Sequence, residues 1–468
     1  MNFFDRKYLP FIIIFAVVFI SRLPFLSAGY GVEEDSWGIA LAAFHTKLSG
    51  VYEPSRFPGH PVQELVFSVL WGCGPIIFNG LCAFFSAVAA VFFSLILKQL
   101  KFQHFFIAAL AFAFIPVFYI SSTYTIDFVW TAAFILIAFY FLLKEQFLIV
   151  GVFLGLAIGC RVTSGAMLLP FMIISWKQEN IKANVIRFIK IVAPMTVIAV
   201  ISFSPIIKQF GLSFFMYYDQ FPYPPMTKVI YKMTLGVFGC IGLLAIAICK
   251  GWIILNRKKG NFGALFQYKL DKKIIVASYV TVVLFIISYF RLPQKSGYMI
   301  SILPFVILLF GYFLNSRMFK FLCLAFIFSS FVCSINLTDR LRGAMYSNYS
   351  VLFKVSGQEI FFDPISGPVF SDYSKRLQKM KYTKELIEQF KVINSKTVLI
   401  TGWWYNEILV TAIPDYSNNI VIIESYINSE KMNQYISKDY VIKYLPEQNI
   451  YNDQMFKMDV TEKIASSF

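Results

Sequence analysis

Long apolar stretches alternate with short polar segments through the first 337 residues of the chain. A helix needs roughly 20 apolar residues to cross the hydrocarbon core of a bilayer. Stretches of this kind lie near residues 8–27, 77–97, 105–120, 127–143, 147–159, 163–176, 189–207, 228–249, 274–290, 299–314 and 319–337. The short stretches 147–159 and 163–176 could also form a broken or re-entrant pair. The pattern predicts an α-helical multi-pass membrane protein with about eleven transmembrane helices.

The composition supports a membrane class of protein. The chain is 58% hydrophobic and holds 53 Phe among 468 residues, which is more apolar surface than a soluble domain carries. The first apolar stretch lacks a small-residue cleavage site and is followed by further stretches, so we expect a retained helix in place of a removed signal peptide. Residues 1–337 are therefore expected to form the transmembrane domain.

The net charge of +16 lies entirely in the predicted transmembrane domain, which has 27 basic and 11 acidic residues, whereas residues 338–468 hold 15 of each. With the N-terminus in the cytoplasm, 18 of those basic residues lie on cytoplasmic loops and 9 on outer loops. This asymmetry follows the positive-inside rule. It predicts a plasma (inner) membrane protein with an extracytoplasmic C-terminal part, and it argues against a nucleic-acid partner.

Residues 338–468 have shorter apolar runs that alternate between strand and helix patterns. The segments "KTVLITGWW" (396–404), "NNIVIIES" (418–425) and "YVIKYLP" (440–446) are typical of strands, with a helix expected in "NEILVTAI" and another through residue 437. This alternation predicts a small extracytoplasmic α/β domain, which we expect to be accessory or to orient a substrate.

Ionisable residues gather in the predicted outer loops, above all in the long first loop at 28–76. A pore or carrier would concentrate such groups at the membrane midplane, so the pattern favours a site at the membrane surface. The acids are Glu33, Glu34, Asp35 and Asp127; the cations are Arg56, Arg161, Arg291 and Lys295, with His60 beside them; the aromatic residues are Trp37, Tyr52, Tyr217, Tyr218, Tyr223 and Tyr298.

These residue types suit the transfer of a sugar that is attached to a lipid phosphate. A carboxylate would take a proton from the acceptor hydroxyl, and cations would stabilise the charge that builds on the departing phosphate. The guanidinium group suits this task because its planar fork pairs with phosphate oxygens. Since no Gly-rich loop follows a strand, a lipid-linked donor fits the sequence better than a nucleotide sugar.

Three motifs carry a resemblance to a known superfamily. The stretch "GVEEDSWGIALAAFHTKLSGVYEPSRFPGHPVQELVFSVLW" (31–71) resembles the first outer loop of GT-C-fold glycosyltransferases, which include protein O-mannosyltransferases and lipid A aminoarabinose transferases. That loop opens with an acidic pair and continues through an interfacial helix, a basic Pro-rich turn and a second interfacial helix. "GLAIGCRVTSGAMLLP" (155–170) and "RLPQKSGYMISILPF" (291–305) resemble two later segments of the family.

The resemblance implies an inverting transfer from a polyprenyl-phosphate-linked sugar to a protein, lipid or glycan acceptor on the extracytoplasmic face. It makes Asp35 the expected catalytic base, with Glu34 its neighbour and Asp127 a second acid of the region. Phosphate and substrate contacts are expected from Arg56, His60, Arg161, Arg291, Lys295 and Tyr298. The sequence departs from the family in having three consecutive acids, so the base could be Asp35, Glu34 or Glu33. It also departs in the turn "RFPGHP", so the donor contact could come from Arg56, His60 or both. No cofactor is required, although Glu33, Glu34 and Asp35 could hold Mg²⁺ or Mn²⁺ through their oxygens.

Each of these residues also has a purely structural interpretation. The loop acids could be solvated, Arg56 could lie along the membrane interface, His60 or Asp127 could cap a helix, and Arg161 could form a structural ion pair. Other classes of function also stay open: a transporter or lipid flippase, a non-catalytic membrane scaffold, or a ligase that moves a whole glycan from a lipid pyrophosphate.

Overall fold

The computed structural model describes residues 7–178, 180–212, 223–260, 270–337, 349–355, 358–412, 420–425 and 427–445. This part of the chain is mostly helical, with a small sheet region near its C-terminal end. Its α-helices are α1 (Leu9–Arg22), α2 (Glu34–Ser49), α3 (Pro61–Val69), α4 (Gly74–Gln99), α5 (Phe105–Phe114), α6 (Pro116–Ser121), α7 (Phe128–Leu143), α8 (Phe147–Cys160), α9 (Leu168–Ser175), α10 (Ile181–Phe210), α11 (Met226–Met233), α12 (Leu235–Lys258), α13 (Lys272–Arg291), α14 (Leu303–Phe313), α15 (Ser316–Ser329), α16 (Pro368–Lys391), α17 (Tyr405–Ala412) and α18 (Ser429–Ile436).

Five helical segments within the described ranges are long and apolar enough to cross a membrane: α4, α10, α12, α13 and the continuous helical stretch Ser296–Phe313, which ends in α14. This agrees with a membrane protein. Eleven crossings are not confirmed, because several predicted stretches form helices of only 10 to 17 residues. The stretch 105–120, for example, is divided where Ile115 leaves the helical conformation (ψ 132°) just before Pro116. A proline disfavours the helical conformation in the residue before it.

The predicted first loop contains two helices, α2 and α3, at the positions that the family resemblance implies. Gly50, in the left-handed conformation (φ 70°), ends α2, and a residue with a side chain is disfavoured there. Pro61 begins α3, where its missing N–H costs no hydrogen bond. The segment between the two helices carries Arg56 and His60, and its backbone is therefore fixed at both ends.

The C-terminal part contains two small sheets. Strands β1 (Ser334–Asn336), β2 (Val351–Val355) and β3 (Gln358–Asp363) form an antiparallel sheet in the order β1-β3-β2. Strands β4 (Thr397–Ile400), β5 (Val421–Glu424) and β6 (Val441–Tyr444) form a parallel sheet in the order β5-β4-β6. The second sheet, with α17 and α18, confirms the predicted α/β unit. The antiparallel sheet and the 24-residue helix α16 were not predicted.

Helix α16 packs directly against the first loop and the segment before α7. The buried side chain of Arg376 donates hydrogen bonds to the carbonyl oxygens of Phe25 (3.0 Å) and Thr123 (2.9 Å). One turn further on, Lys379 donates to the carbonyl oxygen of Val32 (2.7 Å) and contacts the carboxylate of Glu407 on α17. The C-terminal part therefore contacts the backbone immediately before the three consecutive acids.

Candidate functional site

The predicted charged residues lie where helices begin or end. Glu33 and Asp35 flank the first residue of α2, Asp127 immediately precedes α7, Arg161 directly follows α8, and Lys295 precedes the 3₁₀ segment that leads into α14. Backbone breaks between packed helices bring these positions together, although they are far apart in sequence. We call the resulting group the charge cluster, and its members are Glu33, Asp35, Arg56, Asp127, Arg161 and Lys295.

The outer half of the charge cluster surrounds Asp35. The ammonium group of Lys295 lies 2.6 Å from the carboxylate of Glu33 and also contacts that of Asp35. The guanidinium group of Arg56 lies 3.1 Å from Oδ2 of Asp35, the same oxygen that Lys295 contacts. One carboxylate oxygen is thus held between two cations that come from different parts of the chain.

The inner half is centred on Asp127. Its two carboxylate oxygens accept hydrogen bonds from Arg56 (3.0 Å) and Arg161 (2.8 Å). Nδ1 of His60 lies 3.7 Å from Oδ2 of Asp127 and 2.6 Å from the carbonyl oxygen of Cys160. Asp127 does occupy the N-cap position of α7, but its side chain makes no capping hydrogen bond. Its main contacts are therefore the two arginines.

Exposure separates the members that a ligand can reach from those that it cannot. The side chain of Asp127 is 0% exposed, whereas those of Asp35, Arg56 and Arg161 are 23%, 19% and 16% exposed. Lys295 is similar at 17%. Glu33 is the most exposed member at 38%. A ligand can thus meet two carboxylates and three cations, while the buried carboxylate of Asp127 holds two of those cations in place.

The surroundings keep the carboxylates of Asp35 and Asp127 ionised. Burial alone would raise the pKa of Asp35, but Arg56 and Lys295 outweigh it and lower that pKa to about 2. The pKa of Asp127 also lies below its usual range, because His60, Arg161 and Arg56 together outweigh its burial. Burial lowers the pKa of His60, which favours the neutral imidazole. The cluster therefore balances three negative charges with three positive charges.

Glu34 lies beside the cluster but not within its ion pairs. Burial raises the pKa of Glu34 to about 8, and the nearby carboxyl groups of Glu407 and Asp35 add to this shift. The neutral acid therefore predominates at neutral pH, whereas Asp35 is ionised. The two consecutive acids thus have different protonation states and different neighbours.

Aromatic rings cover Arg161 on the side away from Asp127. Its guanidinium carbon lies 4.8 Å from the ring centroid of Phe128 and 4.3 Å from that of Tyr298. Gly297 allows this packing, because a Cβ atom at this position would lie only 2.2 Å from the ring of Phe128. The two rings meet edge to face, and their cation–π contacts help to hold the guanidinium group in place.

Glu64 was not among the candidate residues predicted from the sequence. Its buried carboxylate accepts hydrogen bonds from the backbone N–H groups of His60 (2.9 Å) and Ser55 (3.1 Å), and from the hydroxyl groups of Tyr52 and Ser55. These bonds fold the segment that carries Arg56 back onto α3. The sequence signal available for this residue is an acid in the first turn of a helix, where negative charge is favourable.

Some predicted residues lie elsewhere. Arg291 ends α13 and is exposed, and the ion pairs of the charge cluster form without it in the part of the chain that the structure describes. Tyr217 and Tyr218 lie outside the described residues. The residues Lys379 and Glu407 are buried beside Glu34 and were not predicted, since they fall in the segment that was expected to be accessory.

The possible metal site at Glu33, Glu34 and Asp35 is not formed by the described residues, among which no group of three or more candidate ligands is placed to hold an ion. The ammonium group of Lys295 lies between the carboxylates of Glu33 and Asp35. The remaining acid, Glu34, interacts with Glu407 and Lys379 of the C-terminal part. That no cofactor is required, and that Mg²⁺ or Mn²⁺ could still bind, both stay predictions.

Comparison with known proteins adds no family assignment. No protein-family model matches the chain, and no curated protein matches it at a significant level. Any functional conclusion must therefore come from the charge cluster and its surroundings.

Proposed function

We propose that the protein is an integral membrane glycosyltransferase that moves a sugar from a polyprenyl-phosphate-linked donor to a hydroxyl acceptor on the extracytoplasmic face. The observation that carries the proposal is the position of Asp35, whose partly exposed carboxylate lies between Arg56 and Lys295. The proposed base is thus in direct contact with both cations that would bind the phosphate. The apolar helices that end at the cluster would keep the lipid part of the donor in the membrane.

The charge balance of the cluster suggests how a donor would bind. Because every cation already has a carboxylate partner, an incoming phosphate would have to share Arg56 and Lys295 with Asp35. Sharing would weaken the two contacts that hold the pKa of Asp35 near 2, and that pKa would rise. Donor binding would in this way turn a strongly paired carboxylate into a more effective base.

The transfer itself would then be a single displacement. The acceptor oxygen attacks the anomeric carbon from the face opposite the phosphate, while Asp35 takes the hydroxyl proton. The bond between the anomeric carbon and the phosphate oxygen breaks, and the electron pair leaves with the polyprenyl phosphate. Arg56 and Lys295 stabilise the negative charge that develops there. The anomeric configuration inverts because there is one displacement.

Asp127 and His60 have supporting roles in this proposal. Asp127 is fully buried, so we assign it the positioning of Arg56 and Arg161 and no contact with the reacting atoms. His60 is 4% exposed and bonded to a backbone carbonyl, so it would hold the loop segment. Glu34 is the matched comparison for Asp35, since it is the adjacent acid and takes no part in the ion pairs.

The test is sugar transfer by the reconstituted protein from a panel of synthetic polyprenyl-phosphate and polyprenyl-pyrophosphate sugars, with membrane extract as the acceptor source. Asp35→Asn should reduce turnover by about a hundredfold or more, as expected for loss of a general base, while Glu34→Gln should keep most of it. Parallel reactions with a chelator and with added Mg²⁺ or Mn²⁺ would test metal dependence.

Other outcomes would support other classes of function. Turnover that is unchanged by Asp35→Asn would refute the mechanism. Transfer from the pyrophosphate donors alone would favour a ligase. Movement of the intact lipid across a vesicle membrane, without cleavage of its sugar, would favour a flippase. Retained biological function in both acid variants, without any turnover, would favour a scaffold.

A further inference from the structure

A cavity of about 260 Å³ adjoins the charge cluster between α6, the start of α12 and α16. Its apolar lining includes Val117, Ile120 and Leu235. Its polar lining includes Glu33 and Lys295, which also belong to the charge cluster. The volume lies just below the 300 to 1,000 Å³ that is typical of small-molecule sites, which suits a headgroup and not a whole lipid.

Lys232 supplies a cation to this cavity that the charge cluster does not balance. Its ammonium group donates a hydrogen bond to the carbonyl oxygen of Gln294, and within the described residues it has no ion pair with a carboxylate. The acids that line the cavity already have partners: Glu33 pairs with Lys295, and Asp372 pairs with Arg376 at 2.9 Å. Burial lowers the pKa of Lys232 to about 8, although the more distant carboxylate of Glu33 acts in the opposite direction.

We propose that this cavity binds the phosphate group of an amphiphile, with Lys232 as its anion contact and the apolar wall of α6 and α12 against the first carbons of its lipid chain. Helix α16 contributes Ser371, Asp372 and Lys375 to the lining. The C-terminal part would thus form one wall of the binding site. The identification of this amphiphile with the sugar donor rests on the proposed function, whereas the binding of a lipid phosphate does not.

The position of Lys232 relative to the charge cluster indicates how a bound phosphate would be oriented. Lys295 lines the cavity and also contacts Asp35. A phosphate held by Lys232 could therefore reach Lys295 from the cavity side, while the carboxylate of Asp35 lies beyond it. The positive charge of Lys232 would also offset the cost of sharing Lys295 between a phosphate and two carboxylates, since the charge cluster alone is neutral.

The test is direct binding to the full chain in nanodiscs, with three probes: a short-chain polyprenyl phosphate, the corresponding polyprenol and inorganic phosphate. We expect the lipid phosphate to bind at least tenfold more tightly than either of the other two. Lys232→Gln should weaken its binding by about tenfold, the usual effect of one lost charge-assisted hydrogen bond. Lys232→Arg should restore binding to within about threefold.

Lys228→Gln is the matched control, because Lys228 lies one turn earlier on α11 and outside the cavity lining. Its binding should equal that of the wild type within about twofold. If Lys228→Gln and Lys232→Gln weaken binding equally, the effect comes from general surface charge and the proposal is overturned. Equal affinity for inorganic phosphate and lipid phosphate would refute an amphiphilic ligand. Unchanged lipid binding in Lys232→Gln would refute Lys232 as the anion contact.

Binding and turnover separate this inference from the proposed function. Binding that depends on Lys232, in a protein that transfers no sugar from any donor, would support the cavity and refute the transferase. Normal, Asp35-dependent turnover with lipid binding that is indifferent to Lys232→Gln would support the transferase and overturn the cavity.

Discussion

The pairing of Asp127 with two arginines should be a strong and measurable energetic coupling. Removing one member of a buried ion pair costs about 3 to 5 kcal/mol when the other charge is left buried. Asp127→Asn leaves two guanidinium groups without their shared carboxylate, but both are 16–19% exposed and keep some water. We therefore expect a cost of about 3 kcal/mol for Asp127→Asn and about 2 kcal/mol for Arg161→Gln.

The double variant should cost about 3 kcal/mol, less than the sum of the two single variants, because the second substitution removes a charge that the first had left unpaired. The coupling free energy is then about 2 kcal/mol. It would be measured from reversible unfolding of the purified protein, titrated from a mild detergent into a denaturing one.

A matched control lies at the exposed start of α13. Asp271 caps this helix by accepting a hydrogen bond from the N–H of Lys273 (2.9 Å), and Asn is an equally good cap. Asp271→Asn should therefore change the free energy of unfolding by less than about 0.5 kcal/mol. If the costs of Asp127→Asn and Arg161→Gln simply add in the double variant, the buried pair contributes no specific stabilisation, and the positioning role of Asp127 fails with it.

Three further variants test neighbouring parts of the structure. Because the folded pKa of Glu34 is about 8, its contribution to stability is complete below about pH 4.3 and is lost progressively as the pH rises to about 8, which amounts to about 5 kcal/mol in all. Glu34→Gln should remove this pH dependence, and identical pH profiles would contradict the shift. Gly297→Ala should cost about 1 to 3 kcal/mol through overlap with the ring that it faces, whereas Gly251→Ala, in open space on α12, should be neutral or slightly stabilising. Lys379→Met leaves the buried carboxyl group of Glu407 without its cation; limited proteolysis should then release the C-terminal part faster than from the wild type, and an unchanged rate would count against this contact.

Local patterns allowed much of the fold to be predicted from the sequence. Apolar runs marked the long helices, and the family resemblance, not a local pattern, implied the two loop helices. The alternating runs after residue 396 marked the parallel sheet. Helix α16 was missed because its apolar positions are sparse and its contacts are polar bonds to distant backbone atoms, which leave no periodic signal.

The residues of the candidate site could be predicted from the sequence, but the ion pairs between them could not. Residue type and loop position indicated Asp35, Arg56, Asp127 and Arg161, since charges are costly beside apolar helices unless they have partners. Which carboxylate meets which cation depends on tertiary packing over long sequence distances, so Asp127 could be mistaken for a helix cap. Lys232 gave no signal at all, because one lysine on a short amphipathic helix resembles any interfacial residue.

The contact between Lys379 and the carbonyl oxygen of Val32 joins residues that are 347 positions apart in the chain. At a synthesis rate of about 5 to 20 residues per second, roughly 20 to 70 s separate the appearance of these two residues at the ribosome. During that interval the first loop has already left the ribosome, but the backbone before its acids lacks the helix that finally covers it. Assembly of the site is thus one of the last events in the biogenesis of the protein, and a chain whose synthesis stops before α16 would have its membrane helices but an open cavity.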